Sequence, residues 1–305
     1  MWGRCRSLVM TLMGALLLSM SLAACGMPAA AKDGKLNVVV AENFWGSIAA
    51  QVGGDHVAAT SIINNPNADP HDYEATATDA RAVADAQYVI VNGAGYDAWA
   101  QQLVDANPSA DRKELDIAKF VGKKAGDNEH LWYRPDYVMK VIDRFTADYK
   151  ALDVANTAYY DQQNSTFKSE TLKEYKSLIA DIQAKYAGTP VGITEPVFGY
   201  MAEALGLKVL TPETFIKAID EGEDPSAADK ATYDEQIRTK QIKVFIYNSQ
   251  NATPDVDALR TKAQAAGIPI VTVTETLTPA GATFQAWQAA QLKALEQALV
   301  TATGH

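Results

Sequence analysis

Short apolar runs rich in Val and Ile recur along the chain, separated by stretches with helical spacing. The runs are Leu36–Ala41, Val57–Ile63, Tyr88–Asn92, Val191–Thr194, Lys208–Leu210, Val244–Tyr247 and Ile270–Thr274. Brief β-branched runs bounded by polar residues predict strands. Phe44–Val52, Thr78–Asp85, Pro254–Ala266 and Phe284–Thr301 carry helical periodicity between them. Strands alternating with helices predict parallel sheets covered on both faces. The middle of the chain breaks this alternation. From Pro135 to Tyr186 the apolar positions Val138, Ile142, Phe145 and Tyr149, then Tyr159, Phe167, Leu172, Tyr175, Leu178 and Ile182, follow helical spacing with no strand. Leu152-Asp153 marks a break, and Gly188-Thr189-Pro190 stops the pattern. A helix of thirty residues is about 45 Å long, enough to bridge two lobes. The expected fold is therefore α/β: two lobes, each a mostly parallel sheet flanked by helices, joined by one long connecting helix. The N-terminal lobe is expected over 36–150, the connecting helix over 151–188 and the C-terminal lobe over 189–305.

The first residues follow a different pattern. Arg4 and Arg6 precede an almost wholly apolar stretch from Leu8 to Met20, and Leu22-Ala23-Ala24-Cys25 follows at once. A positive start, an apolar core and small residues at the cut predict a secretory signal over 1–24. The apolar core is short for a membrane span of about 20 residues. The Leu-Ala-Ala-Cys box resembles a bacterial lipobox, which implies lipid on Cys25, a tether over 25–35 and an extracytoplasmic chain held on the cell membrane. Two or more acyl chains suffice for stable anchoring.

Composition narrows the function. Lys+Arg is 27 against Asp+Glu 37, a formal charge of −10, which argues against general nucleic-acid binding. The only other cysteine, Cys5, leaves with the signal, so the mature chain has no disulfide framework and no CxxC metal site.

In open α/β sheets, ligands bind beyond the carboxyl ends of strands. After Ile63 a loop runs through Asn64-Asn65-Pro66-Asn67-Ala68-Asp69-Pro70 to His71. His130 lies just before the helix that starts at Pro135. Glu195 follows the Val191–Thr194 run and Glu275 follows Ile270–Thr274. The first lobe offers two imidazoles and the second two carboxylates, and four such groups would close around a divalent metal. His56 and His305 read as surface residues. Asp69, Asp72, Glu74, Asp127 and Glu129 are rival carboxylates that spacing does not exclude.

Asp69-Pro70-His71-Asp72-Tyr73-Glu74-Ala75-Thr76, Asn128-Glu129-His130-Leu131-Trp132, Glu195 with Phe198-Gly199-Tyr200, and Thr274-Glu275-Thr276-Leu277 together resemble the motifs of one family. It is the cluster A-I (cluster 9) metal-binding lipoproteins of bacterial ABC importers, the zinc and manganese solute-binding proteins. The resemblance spans essentially the mature chain, with Ala41-Glu42-Asn43-Phe44-Trp45-Gly46 resembling its opening strand and helix. It implies that His71, His130, Glu195 and Glu275 are metal ligands. Two departures stand out: Glu129 where the family usually has proline, and Arg134 where it usually has aspartate. Glu275 falls where an aspartate is usual. The implied partner is an ABC permease, the implied cargo one divalent metal, and a monomer is expected.

Two imidazoles and two carboxylates suit manganese, and the same set accepts zinc or iron. Asp111–Glu129 lacks the histidine-rich loop common in the zinc importers. The alternatives are a metal-dependent extracytoplasmic hydrolase and a binder of a small organic solute. HExxH and GxSxG are both absent, and four protein ligands leave little room for an attacking water. The expectation is a carrier, not an enzyme.

Overall fold

A computed structural model describes residues 34–65 and 73–305. β1 (Leu36–Glu42), α1 (Asn43–Gly53), β2 (Val57–Ile63), α2 (Ala77–Asp85), β3 (Tyr88–Val91), α3 (Ala98–Ala106), β4 (Lys113–Asp116) and α4 (Ile117–Val121) build the first lobe. Its sheet runs β2-β1-β3-β4 and every pair is parallel. The central strand shows why. Val38 and Val40 enter one apolar cluster with Phe44 and Ile48 of α1, while Val39 and Ala41 enter another with Val83 and Val104 of α2 and α3. Both faces of the strand are buried over Val38–Ala41, and all four of those residues are apolar. Gly46 is needed where α1 crosses β2, because a side chain there would collide with Ser61.

α5 (Pro135–Leu152) ends at the expected break. α6 (Thr157–Thr166), a π-helical turn (Phe167–Thr171) and α7 (Lys173–Tyr186) then run to the second lobe. Tyr160, Phe167, Tyr175 and Ile182 bury one face of this connection. The π turn inserts a residue into the helical ladder, so the connection is segmented rather than one uniform helix.

The second lobe repeats the first: β5 (Pro190–Ile193), α8 (Gly199–Ala204), β6 (Lys208–Val209), α9 (Glu213–Asp220), α10 (Ala227–Arg238), β7 (Val244–Asn248), α11 (Pro254–Ala265), β8 (Ile270–Val273) and α12 (Phe284–Thr303). Its strand order, β6-β5-β7-β8, matches the first lobe's position for position, again all parallel. β4 is the strand that the apolar pattern does not signal. Lys113-Glu114-Leu115-Asp116 is an edge strand in which Leu115 alone is buried, so it needs only one apolar residue.

One continuous core joins the lobes. Phe44 stacks on Trp132 with ring centroids 3.8 Å apart, and Tyr133 meets both Phe198 and Trp287 edge-on. Truncating a buried aromatic of this kind destabilises by about 3–5 kcal/mol. This shared core fixes the facing strand ends relative to each other.

Candidate metal centre

The carboxyl ends of the two sheets meet across the lobe boundary. Asn43, which opens α1, accepts the backbone N–H of Leu277 at 3.1 Å. Tyr133 donates to the backbone oxygen of Thr274 at 2.7 Å. Asn128 donates from Nδ2 to the Pro196 carbonyl at 2.9 Å. These three bonds set the segments carrying His130, Glu195 and Glu275 against one another.

His130 is buried, and its orientation is determined. Asn128 Oδ1 accepts the backbone N–H of His130 and also lies 2.9 Å from its Nδ1. Because the Nδ2 of the same amide donates to Pro196, Oδ1 must be the acceptor and Nδ1 must carry the proton. That puts the ring's lone pair on Nε2, the arrangement in which a partner on one ring nitrogen orients the other. Nε2 stands 3.9 Å from Glu275 Oε2.

Glu275 is gripped on both oxygens, once from each lobe. Asn248, at the end of β7, donates to Oε1 at 2.6 Å, and Tyr96 of the first lobe donates to Oε2 at 2.9 Å. Burial and the neighbouring Glu275 charge hold the Tyr96 hydroxyl well above its usual range, so it stays a donor. The Glu275 backbone N–H donates to Gln250 Oε1 at 2.5 Å. Glu195 follows β5 and is 2% exposed, so its charge is almost wholly desolvated. Its Oε2 accepts from Asn251 Nδ2 at 2.7 Å, while Oε1 is buried with no hydrogen-bond partner among the described residues. Burial raises its pKa well above the usual carboxylate value, and the charges of Glu275 and Asp220 add to the rise.

The expected residues are thus distributed as follows. His130, Glu195 and Glu275 come to the interface between the strand ends. His71 and Cys25 lie outside the described residues, as do the rivals Asp69 and Asp72. Glu74 is exposed and Asp127 accepts the Lys124 backbone N–H in a turn. His56 packs edge-on against Tyr159, away from the interface. Among the described residues, donor atoms of Glu129, His130 and Asp220 all lie within 4.8 Å of one another, close enough to share a metal ion. Asp220 was not signalled by the sequence, because it opens the acidic run Asp220-Glu221-Gly222-Glu223-Asp224, which reads as a solvated helix end. Tyr96 was missed because an isolated tyrosine after a strand carries no motif.

The Glu195 carboxylate is withdrawn from bulk solvent, and among the described residues only one of its oxygens is hydrogen-bonded. An oriented imidazole beside buried carboxylates is an arrangement suited to a divalent metal. Among the described residues no helix is long and apolar enough to cross a membrane.

Comparison with known proteins agrees with this chemistry. The chain is 24% identical to the zinc-binding lipoprotein AdcA of Streptococcus pneumoniae (strain ATCC BAA-255 / R6), over 94% of this chain and 60% of that protein. It therefore spans about 60% of the length of that relative. It is 26% identical to the manganese-binding lipoprotein MntA of Halalkalibacterium halodurans, over 63% of this chain and 66% of the relative. The Mn-bound periplasmic metal binding protein from Candidatus Liberibacter asiaticus superposes with a TM-score of 0.71 at 18% identity, covering 87% of this chain and 100% of that one. The fold is shared with that structure. Residues 38–298 match the family described as zinc-uptake complex component A, periplasmic (ZnuA), and the chain belongs to that family.

Proposed function

We propose that this protein is the extracytoplasmic solute-binding component of an ABC metal importer. It captures one divalent transition metal between its lobes and hands it to a membrane permease without chemical turnover. The observation that carries this reading is the interface itself: His130 with its Nε2 facing Glu275, and Glu195 with a buried oxygen that has no hydrogen-bond partner among the described residues, supplied by facing lobes. His71, which falls in a close match to the family's histidine motif, is the second imidazole of this reading. The ligand set is then His71, His130, Glu195 and Glu275.

Manganese is the favoured cargo, with zinc or iron as alternatives. Carboxylates are harder donors than imidazole and shift the preference toward manganese, although zinc has the higher intrinsic affinity. Both metals occur in the names of relatives. Lipid on Cys25 would hold the carrier beside its permease, and Cys25→Ser should release it or leave it unprocessed.

Capture requires little rearrangement. The continuous core and the cross-lobe bonds of Tyr96 and Tyr133 favour small shifts of side chains and loops over wide domain opening. Metal analysis of mature protein grown with equal manganese, zinc and iron tests the reading. One equivalent of metal and no hydrolytic turnover are expected; a metal-free protein that also fails to bind any of the three in titration overturns it.

A further inference from the structure

We propose that Asp220 and Glu129 are metal-binding carboxylates that, with His130, form an outer coordination set at the mouth of the interlobe site and receive the cation before it settles between Glu195 and Glu275. This inference rests on the metal-capture reading above and adds to it a loading position.

The geometry comes first. The donor atoms of Glu129, His130 and Asp220 lie mutually within 4.8 Å. A metal bonded at about 2.1 Å needs donors roughly 3–3.5 Å apart, so small side-chain rotations complete the set. The three residues come from both lobes: Glu129 and His130 precede α5, and Asp220 ends α9. Glu129 and Asp220 are half-buried, whereas His130, Glu195 and Glu275 are buried. Glu129 and Asp220 are therefore the more solvent-accessible of these five groups.

A second observation ties this cluster to a ligand. Asn251 donates both to Glu195 Oε2, at 2.7 Å, and to the Ile219 carbonyl, at 3.4 Å. It thereby sets the end of α9 beside Glu195, whose Oε1 is buried without a hydrogen-bond partner among the described residues. The Asp220 charge acts on Glu195. An aspartate at a helix C-terminus is also disfavoured by the macrodipole. Carboxylates gathered in one place repel one another, and a divalent cation reverses that repulsion. Glu129 stands where the resembled motif usually carries proline, which has no donor atom to offer.

His130 belongs to both sets, so they cannot hold two ions independently. A metal bound by Glu129, Asp220 and His130 Nε2 can move inward by exchanging the two outer carboxylates for Glu195 and Glu275 while His130 stays bound. The cation is never released into the low-dielectric interior without ligands.

The test is stopped-flow and equilibrium Mn2+ binding to wild type, Asp220→Asn, Glu129→Gln and their double variant, with Glu221→Gln as a control of equal charge change on the same helix end. The double variant should load about tenfold or more slowly, keep a stoichiometry of one and lose less in equilibrium affinity than Glu195→Gln. Glu221→Gln should load like wild type. Wild-type loading rates in the double variant overturn the inference alone. So does equal slowing by Glu221→Gln, which would make the effect long-range steering. A wild type that binds no Mn2+, Zn2+ or Fe2+ overturns the inference together with the transport reading.

Discussion

The two lobes use one scaffold for opposite ends. In each sheet the strand second in order carries an acid at or just past its carboxyl end, Glu42 on β1 and Glu195 after β5. The third strand in each leads to an asparagine, Asn92 and Asn248. Asn248 reaches toward the interface and holds Glu275. Asn92 turns into its own lobe, accepting from Trp45 Nε1 at 2.9 Å and donating to the Glu129 carbonyl at 2.9 Å. Glu42 is fully buried beside Asp97, with neither oxygen hydrogen-bonded among the described residues. Burial and the Asp97 charge push its pKa well above the ordinary carboxylate value. Asp97 accepts backbone N–H groups from Asn92 and Gly93, and burial still lifts it to about 6. Topologically equivalent acids thus become a proton-holding pair in one lobe and, in the proposed site, cation-facing groups in the other. What separates them is the neighbour: Asp97 stands beside Glu42, whereas Asn251 donates to Glu195.

The strongest way to break this contrast is to exchange the lobes' roles in a binding assay. His130→Ala, Glu275→Gln and His71→Ala should each weaken metal binding by more than about 100-fold, since groups that merely orient ligands already carry about 10–100-fold. Asp97→Asn and His56→Ala should leave affinity near that of wild type. Isothermal titration with Mn2+ and Zn2+ reads both halves; near-wild-type affinity in the His71→Ala, His130→Ala double variant would remove the imidazoles from the site.

Glu195→His sharpens the contrast by changing donor type rather than deleting it. Imidazole is the softer ligand, so the ratio of affinities should move from manganese toward zinc. Competition titration of the two metals reads the ratio, and an unmoved ratio would mean that Glu195 does not touch the ion.

Tyr96→Phe tests the grip of the first lobe on the second lobe's acid. Losing the 2.9 Å bond to Glu275 Oε2 frees that carboxylate to rotate, and affinity should fall about tenfold with the ligand set intact. A larger loss accompanied by a changed stoichiometry would point to a direct ligand role for the hydroxyl.

The strands of both lobes other than β4 were legible because their buried positions are apolar on both faces, and helices α1, α2, α11 and α12 were legible from their spacing, whereas the shorter or more polar α3, α4, α8, α9 and α10 were not. Edge strand β4 was not, since Leu115 is its only buried side chain. The break at Leu152-Asp153 was visible, but the π turn at Phe167–Thr171 was not, because one inserted residue barely disturbs the spacing of Tyr160, Phe167 and Tyr175. Within the interface, Glu195 and Glu275 could be picked out as polar groups after strands, and His130 as a histidine just before a helix, all three within segments that resemble family motifs. The roles of Tyr96, Asn128 and Asp220 could not, because they depend on contacts between segments distant in sequence, which periodicity does not encode.

The smallest effect should come from the proton-holding pair of the first lobe, and it should appear in stability rather than in binding. An unfolded glutamate titrates near 4.3. Folded Glu42 titrates well above that value, so above about pH 4.3 the folded chain holds a proton that the unfolded chain has released. Stability therefore falls as pH rises from the unfolded value toward the folded one. Asp97, raised to about 6, adds the same sign between its unfolded value of about 3.9 and about 6. Glu42→Gln removes the first of these contributions and preserves shape. The melting temperature of Glu42→Gln relative to wild type should thus be higher at pH 8 than at pH 5, and each kcal/mol of difference corresponds to about 2–4 °C in a chain of this size. Metal-free protein must be used for both, so that the cation-facing acids of the second lobe contribute equally and cancel. An offset that does not change between the two pH values would mean that Glu42 is ionised in the folded chain despite its burial beside Asp97.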